Sequence, residues 1–337
     1  MDRSIIARGW MELAGERLKD SEIEVMLCRN PEMISRLGGE FVLEWNGCKA
    51  RDHFGIMPGD CPPGSVVCGD EVIGKVDPQN PIMSLGEAIE IAVRLRSDEG
   101  AVAMSGGVDS ALVARLAGRV CVVVGIEGSH DLLHAKYVAD ELGLSLDRVL
   151  IDPSSIEDRL RQALLVIPKI DPVNASIATT LSYVAEWAGM HGHRRILAGQ
   201  GADELFGGYA RYLQTETLAQ DMEEDFLGLS LQLDRDQSVA ALHGTYFSLP
   251  YMDVRVVVVA LSIPPEQKVC DEVRKRPLRE VAERFMPSAI ARHEKKAMQY
   301  GSGVMKEIQR LANQRGYRKS VQDYLLCLCR EEGREIG

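Results

Sequence analysis

Long apolar runs are missing from this chain of 337 residues. No stretch approaches the roughly 20 apolar residues that a membrane-spanning helix needs. The run from Val254 to Leu261, for example, is short and contains Arg255. Residues 1–4 are not followed by a long apolar core either, so no signal peptide is expected. These absences predict a cytoplasmic protein without a membrane span.

Residue spacings typical of metal sites are also missing. None of the eight cysteines forms a C-x₂-C pair, and in a helix Cys327 and Cys329 point to different sides. In a cytoplasmic chain of this length, we therefore expect reduced thiols. The following histidines form no close metal pattern and are expected to be structural or surface residues: His130, His134, His191, His193 and His243.

Positive charge is in short supply. There are 39 Lys and Arg against 50 Asp and Glu, which gives a net charge of −11. A surface of this sign disfavours nonspecific binding to nucleic acid. The basic run 274–276 precedes Pro277, and a helix start at this proline explains the apolar positions Leu278, Val281 and Ala282 more simply than a nucleic-acid patch does.

The chain divides near residue 80, at the turn-rich stretch 76–81. Residues 1–80 are mostly strand-like, with Asn46-Gly47 as a hairpin turn and a second hairpin over 64–74. In residues 81–325, short apolar runs such as 120–124 alternate with helical periods at 85–96, 156–167, 181–188 and 239–242. This alternation predicts an α/β fold with a doubly wound parallel sheet, preceded by a small, mostly β domain.

A glycine turn between an apolar run and a helix-like segment carries the most information. Ser105-Gly106-Gly107-Val108-Asp109-Ser110 follows the run 101–104 and precedes the segment 111–116. Strand, glycine turn and helix together present backbone N–H groups to a phosphate. Because the turn contains no lysine, it is not the G-x-x-x-x-G-K-[ST] loop, and an ordinary turn is the competing interpretation. Asp109 suits the site if Mg²⁺ lies between its carboxylate and the phosphates.

A second apolar run and glycine turn occupy residues 196–209. Gly199 and Gly201 lie in this turn, and Asp203 follows them as a candidate second carboxylate for the same metal. Two strand-end loops of this kind suit a Mg²⁺–triphosphate site at the carboxyl edge of a parallel sheet.

Together these segments resemble the synthetase domain of the asparagine synthetase family, an ATP pyrophosphatase whose loop follows the pattern S-G-G-x-D-S. Residues 201–209 are similar to the family's second signature. Three further similarities, in the family's order, lie at 124–131, at 249–253 and at Lys295 with Gly301 and Gly303. The five matches cover roughly residues 81–310, and their order makes the resemblance specific.

The resemblance implies an enzyme that activates a carboxylate with ATP as an acyl-adenylate, releases pyrophosphate and amidates the adenylate with ammonia. Aspartate is the default acceptor. The implied catalytic residues are Lys295, at the α-phosphate, and Gln200. Asp109 and Asp203 would bind Mg²⁺. The implied ATP-binding residues are Met104, Ser105, Gly106, Gly107, Asp109, Ser110, Val124, Gly125, Ala198 and Gly199.

The N-terminal segment is similar to the later part of the family's glutaminase domain, at residues 38–42 and 51–58. In the full enzymes that domain begins with a cysteine whose thiolate attacks glutamine. Here position 2 is Asp, and the first cysteine is Cys28. We therefore expect a truncated, non-hydrolytic remnant, with ammonia either free or supplied by a separate glutaminase subunit.

Three departures from the family's pattern concern the acceptor. Gln200 stands where the family has a Glu that could accept a proton from the attacking amine or pair with a cationic group. Asn174 stands where an Arg is usual, which weakens the case for aspartate. Tyr246 and Ser248 fall where Glu and Arg commonly stand. The alternatives are another carboxylate, an intramolecular amide, a tRNA base, or an inactive nucleotide-binding subunit.

Overall fold

Two β-sheets organise the chain, one antiparallel and one parallel. The structure, a computed structural model, describes residues 5–79, 81–294 and 301–334. Within them the antiparallel sheet has six strands in the order β2-β1-β3-β4-β5-β6. These strands are β1 (Ile6–Leu13), β2 (Glu16–Arg17), β3 (Gly38–Trp45), β4 (Cys48–Arg51), β5 (Ser65–Cys68) and β6 (Glu71–Lys75). Helix α1 (Asp20–Arg29) follows β2 and packs Ile23 and Leu27 into the core of this part.

Both hairpins predicted in the N-terminal part are confirmed. Asn46 and Gly47 connect β3 to β4 with left-handed φ values of 46° and 79°, the conformation that makes Asn-Gly a favoured hairpin turn. Gly69 and Asp70 connect β5 to β6.

The expectation of reduced thiols is wrong for one pair of cysteines. Cys48 on β4 and Cys68 on β5 are directly opposite each other in the antiparallel register and form a disulfide, with Cα atoms 4.0 Å apart. Their separation of 20 residues carries no information about the register, so the sequence does not reveal the pair. The other six cysteines are free thiols.

The parallel sheet has five strands in the described part of the chain, in the order β11-β10-β7-β8-β9. They are β7 (Ala101–Ala103), β8 (Cys121–Gly125), β9 (Leu146–Leu150), β10 (Arg195–Leu197) and β11 (Tyr246–Ser248). The chain runs outward from β7 to β9 and returns with β10 on the other side of β7. Between β7 and β10 the strand order therefore reverses, and such a reversal opens a crevice at the carboxyl edge where ligands bind.

Helices cover both faces of the parallel sheet, which confirms the predicted doubly wound α/β fold. Val122 and Val124 of β8 pack into one hydrophobic cluster, whereas Cys121 and Val123 pack into another on the opposite face. The helices are α2 (Leu85–Arg96), α3 (Val108–Ala117), α4 (His130–Leu142), α5 (Ile156–Val166), α6 (Pro172–Met190), α7 (Ala202–Phe206), α8 (Leu218–Leu227), α9 (Leu229–Ala241), α10 (Val254–Ser262), α11 (Pro265–Lys268), α12 (Arg276–Ala282), α13 (Ser288–Ala291), α14 (Val304–Gln314) and α15 (Val321–Glu331).

Some helices are longer than their apolar periods predict. Helix α2 has the predicted bounds, but α6 extends well beyond the predicted 181–188. It begins where the Asp171 side chain accepts a hydrogen bond from the backbone N–H of Asn174, with Pro172 in the first turn.

In the described part of the chain, no helix combines the length and apolar character that crossing a membrane requires.

A buried ion pair joins the antiparallel sheet to the α/β part. Glu40 on β3 is fully buried, and its carboxylate accepts hydrogen bonds from Arg96 Nε on α2 and from the backbone N–H of Leu249, both at 2.8 Å. The Trp10 indole N–H and the Ser248 hydroxyl donate to the same carboxylate. Four donors therefore satisfy a charge that water does not reach, which is the condition for burying it.

Replacing Glu40 should destabilise the protein strongly. Glu40→Ala leaves the buried Arg96 guanidinium with Asp253 as its remaining carboxylate contact, and breaking a buried ion pair costs about 3–5 kcal/mol. The free energy of unfolding, measured by urea denaturation, should fall by that amount. Glu44→Ala on the same strand is the matched control, because the pairing of Glu44 with Arg8 is partly exposed and contributes about 0–1 kcal/mol. Equal losses in the two variants would contradict this description of the joint.

Candidate active site

Two loops meet at the carboxyl edge of the parallel sheet. Residues 105–110 follow β7, and residues 199–203 follow β10, its neighbour in the sheet. A Cβ atom built at Gly199 would lie 3.1 Å from the Cβ of Asp109 and 3.2 Å from the backbone nitrogen of Ser110. The two predicted glycine turns therefore lie against each other, at a distance where a larger residue would crowd them.

The 105–110 loop is closed by the Ser110 hydroxyl group. This hydroxyl accepts a hydrogen bond from the backbone N–H of Ser105 at 3.2 Å and donates one to the carbonyl of Gly107 at 3.1 Å. Helix α3 begins directly after Gly107, which has no side chain to cap the first N–H groups. Open N–H groups at a helix N-terminus attract anions such as phosphate.

The side chains of Asp109 and Asp203 converge on one cation. Lys275 Nζ lies 2.6 Å from Oδ2 of Asp109 and 2.6 Å from Oδ1 of Asp203. Burial lowers the pKa of Lys275, but the two carboxylates raise it by more, so the net pKa lies above that of a free lysine. Lys275 therefore stays charged and offsets the repulsion between the two carboxylates.

Lys275 is a site residue that the sequence did not reveal. It directly precedes α12, which begins at Arg276 with Pro277 in its first turn, so the predicted helix start is confirmed. Gly208 leaves the space that Lys275 needs, because a Cβ there would lie 1.8 Å from Asp203 Oδ1 and 2.3 Å from Lys275 Cε. The only signal was the basic run itself, and its spacing does not show which side chain meets the loops.

The loops line a cleft of about 840 Å³, a size typical of ligand sites. Gly106 and Gly125 are not among its lining residues: Gly106 lies against His134, and Gly125 against Ser302. Lys295 lies outside the described residues. The other predicted nucleotide, metal and catalytic residues line the cleft: Met104, Ser105, Gly107, Asp109, Ser110, Val124, Ala198, Gly199, Gln200 and Asp203.

A chain of hydrogen bonds across the same cleft links Gln200 to Asn174, two residues that depart from the family's pattern. Gln200 Nε2 donates to Asp236 Oδ2 at 3.2 Å, and Arg235 Nε donates to Asp236 Oδ1 at 2.7 Å. Arg235 Nη1 then donates to Asn174 Oδ1 at 2.8 Å. The sequence alone does not reveal Arg235 and Asp236, because two adjacent charges within a helical period are indistinguishable from a solvated helix face.

Tyr246 and Ser248 are not among the residues that line the cleft. The Tyr246 hydroxyl accepts a hydrogen bond from Arg195 Nε at 2.7 Å, and Ser248 donates to Glu40 at the joint between the sheets. Both residues therefore hold β11 in place, and their departure from the family's pattern does not bear directly on the acceptor.

The paired carboxylates suit a cation that prefers oxygen ligands. Mg²⁺ is usually bound by one or two carboxylates together with substrate phosphates. Asp109 and Asp203 meet at one point, which the Lys275 ammonium now occupies. Within 5–79, 81–294 and 301–334, no group of three or more His, Cys, Asp or Glu side chains forms a metal site. The donors therefore fit Mg²⁺ that arrives with phosphates.

Three histidines that the sequence did not bring together lie beside the 105–110 loop. The ring centroids of His134 and His293 are 4.0 Å apart, and His130 lies 5.6 Å from His134. His134 lies against Gly106 of the loop, and His293 lines the cleft. The first turns of helix α4 therefore pack against the 105–110 loop.

The strand order, the glycine loop and the paired carboxylates define a doubly wound α/β domain with a ligand cleft at the carboxyl edge of its parallel sheet. Residues 84–232 and 227–326 match the family model described as asparagine synthase. The chain belongs to the asparagine synthase family.

Its relatives are longer proteins. One from Methanocaldococcus jannaschii, named as a glutamine-hydrolysing asparagine synthetase, is 32% identical over 278 residues, which cover 69% of this chain and 51% of that protein. Asparagine synthetase B of Escherichia coli is 26% identical over 249 residues, or 65% of this chain and 44% of that protein. The chain thus spans about half the length of the curated relatives it matches. The structure of NMN synthetase from Francisella tularensis is similar to this chain with a TM-score of 0.39 and 16% identity. The similarity covers 76% of this chain and 89% of that chain.

Removing Lys275 should make stability depend on Mg²⁺. Lys275→Ala leaves two facing carboxylates without their cation, at a cost of about 2–3 kcal/mol once the partial exposure of Asp203 is considered. Mg²⁺ binding to these carboxylates stabilises the folded state, so it should raise the melting temperature of the variant more than that of the wild type.

Lys169→Ala is the matched control for Lys275→Ala. Lys169 lines the same cleft, but its side chain is mostly exposed, so its removal should change neither the stability nor the response to Mg²⁺. If Mg²⁺ shifts the melting temperature of Lys275→Ala no more than that of the wild type, the assignment of Asp109 and Asp203 to a metal site is wrong.

Proposed function

We propose that this protein is an ATP-dependent amide-forming ligase that activates a carboxylate as an acyl-adenylate. The observation that carries the proposal is the convergence of Asp109 and Asp203 beside the open N-terminus of α3. An anion-binding helix end next to two carboxylates suits the triphosphate of ATP with its metal. Membership of the asparagine synthase family supports the same chemistry.

In the proposed first step, a carboxylate oxygen of the acceptor attacks the α-phosphorus of ATP. A bond forms between that oxygen and phosphorus, the bond from phosphorus to the oxygen that bridges to the β-phosphate breaks, and pyrophosphate leaves. Backbone N–H groups of residues 105–110 would bind the phosphates, and Asp109 and Asp203 would hold Mg²⁺, which neutralises charge on the leaving pyrophosphate. Lys275 would add a positive charge to the same site.

In the proposed second step, the nitrogen of ammonia attacks the carbonyl carbon of the adenylate. The C–N bond forms, the bond from that carbon to the oxygen of AMP breaks, and one proton leaves to solvent. Both steps develop charge at fixed positions, so preorganised groups contribute most of the rate. We retain Gln200, which lines the cleft, and Lys295, placed by resemblance at the α-phosphate, as candidates next to the reacting atoms.

We propose aspartate as the first acceptor to test, on the strength of the relatives' names. The nitrogen would come from ammonia, either free in the cytoplasm or delivered by a separate glutaminase subunit. In the antiparallel part, Cys48 and Cys68 are bonded to each other and Cys61 is buried, so Cys28 on α1 is the exposed thiol among the described residues there. Because Cys28 lies inside the chain, it lacks the free α-amino group that helps to activate the cysteine of a glutaminase. We therefore expect glutamine not to replace ammonium in this chain's reaction.

The direct experiment supplies purified protein with ATP, Mg²⁺, ammonium and a panel of amino-acid carboxylates. We expect pyrophosphate and AMP in equal amounts with at least one acceptor. Asp109→Asn removes a charge from the proposed metal site and should lower the rate about 10²–10³-fold. Asp140→Asn on the exposed surface of α4 is the matched control and should leave the rate unchanged.

Two results would contradict the ligase. Formation of ADP and phosphate would show attack at the γ-phosphorus instead of adenylation. Tight ATP binding without release of pyrophosphate from ATP in the presence of any acceptor would favour the second candidate, a nucleotide-binding subunit without catalysis.

A further inference from the structure

Asp236 places a buried carboxylate in the cleft. It is 2% exposed, and it lines the cleft together with Gln200, whose amide donates to its Oδ2. Gln200 follows Gly199, which lies against Asp109 of the phosphate loop. Asp236 is therefore linked through Gln200 and Gly199 to the loop at which ATP is proposed to bind.

The residues at positions 200 and 236 depend on each other's charge. The family's pattern has a glutamate at 200. With Asp236 in place, a glutamate there would set two carboxylates side by side in a buried position, where like charges repel strongly. The Gln200 amide instead donates a hydrogen bond to Asp236. Positions 200 and 236 together thus carry one carboxylate. It belongs to Asp236 on α9 instead of to a residue of the 199–203 loop.

Arg235 holds Asp236 in place, and the Asp236 carboxylate still has unused capacity to accept hydrogen bonds. Arg235 Nε binds Oδ1 of Asp236, and its Nη1 turns to Asn174. Oδ2 accepts from Gln200 at 3.2 Å, the long end of the usual range, and a carboxylate oxygen accepts more than one donor. An N–H group of a ligand in the cleft can therefore bind Oδ2 as well.

We propose that Asp236 binds a protonated amine in the acceptor half of the site, in the place of the glutamate that the family has at 200. This inference rests on the proposed ligase function. The amine has two sources: the ammonium group of an amino-acid acceptor, or the ammonium ion that supplies the nitrogen. A carboxylate that Arg235 holds through Oδ1, and whose Oδ2 has one long hydrogen bond, recognises either by charge and hydrogen bonding.

Asp236→Asn tests the proposal with matched pairs of acceptors. L-aspartate is compared with succinate, and L-glutamate with glutarate, because each pair differs in the amino group. ATP–pyrophosphate exchange without ammonium gives kcat/KM for each acceptor, and the complete reaction gives KM for ammonium. Calorimetry with a non-hydrolysable ATP analogue gives the dissociation constants of the same acceptors without turnover.

If the bound amine belongs to the acceptor, Asp236→Asn should reduce the preference for the amino acid over its desamino counterpart by about tenfold or more, since a charged hydrogen bond is lost. If the bound amine is ammonium, its KM should rise by about the same factor and the preference should stay. In both cases KM for ATP should not change, whereas a loss of structure would move it.

Three further variants separate recognition from folding. Asp234→Asn lies on the same helix but on its exposed side, and should behave as the wild type. Gln200→Glu alone sets two carboxylates together, and a bound ammonium group offsets their repulsion, so binding of the amine should not weaken. Gln200→Glu combined with Asp236→Asn returns one carboxylate to position 200 and should restore kcat/KM towards the wild-type value.

The proposal is overturned if Asp236→Asn leaves both the amine preference and the KM for ammonium unchanged, or if the double variant is no better than the worse single variant. A wild-type protein that shows neither pyrophosphate exchange nor amide formation contradicts the ligase instead. In that event calorimetry still decides the role of Asp236: a preference for the amino acids, or binding of ammonium, that is lost in Asp236→Asn supports it, and no loss of either overturns it.

Discussion

The contacts of Lys275 with Asp109 and Asp203 are the interaction on which the site depends. Parallel strands end at the same edge of a sheet, so the loops after the adjacent strands β7 and β10 bring their two carboxylates together. Two facing carboxylates repel unless a cation lies between them, and Lys275 is that cation in the structure. Gly208 leaves room for it. In the proposed function, Mg²⁺ bound with a triphosphate would take over this charge compensation, so a lysine and a metal would share one position.

The features that the sequence predicted correctly depend on residues close to each other along the chain. The Asn46-Gly47 hairpin, the bounds of α2 and the helix start at Pro277 depend on residues a few positions apart, and all three are confirmed. The two glycine turns were predictable for the same reason. Lys275 and Asp236 were not, because each acts through a residue more than 30 positions away along the chain. The Cys48–Cys68 disulfide was missed because strand register is not encoded in the spacing of the two cysteines.

The two halves of the cleft differ in how closely they follow the family. The nucleotide half keeps its glycine loop and both carboxylates, so adenylation is the part of the chemistry that the geometry supports best. In the acceptor half the family's charged residues at 174 and 200 are replaced by amides, and a buried Arg235–Asp236 pair lies between them. The antiparallel sheet is held to this domain by the fully buried Glu40, which fixes β11 and, through it, the sheet that carries the loops.

The central claim is that a carboxylate oxygen of the acceptor becomes bonded to the α-phosphorus of ATP. Transfer of an ¹⁸O label tests it most directly. An acceptor labelled in its carboxylate is allowed to react with ATP, Mg²⁺ and ammonium, and the AMP is analysed by ³¹P NMR or mass spectrometry. We predict one ¹⁸O atom in each AMP formed, because the activated oxygen leaves with the phosphorus. Label in inorganic phosphate, or AMP that carries no label, would contradict it.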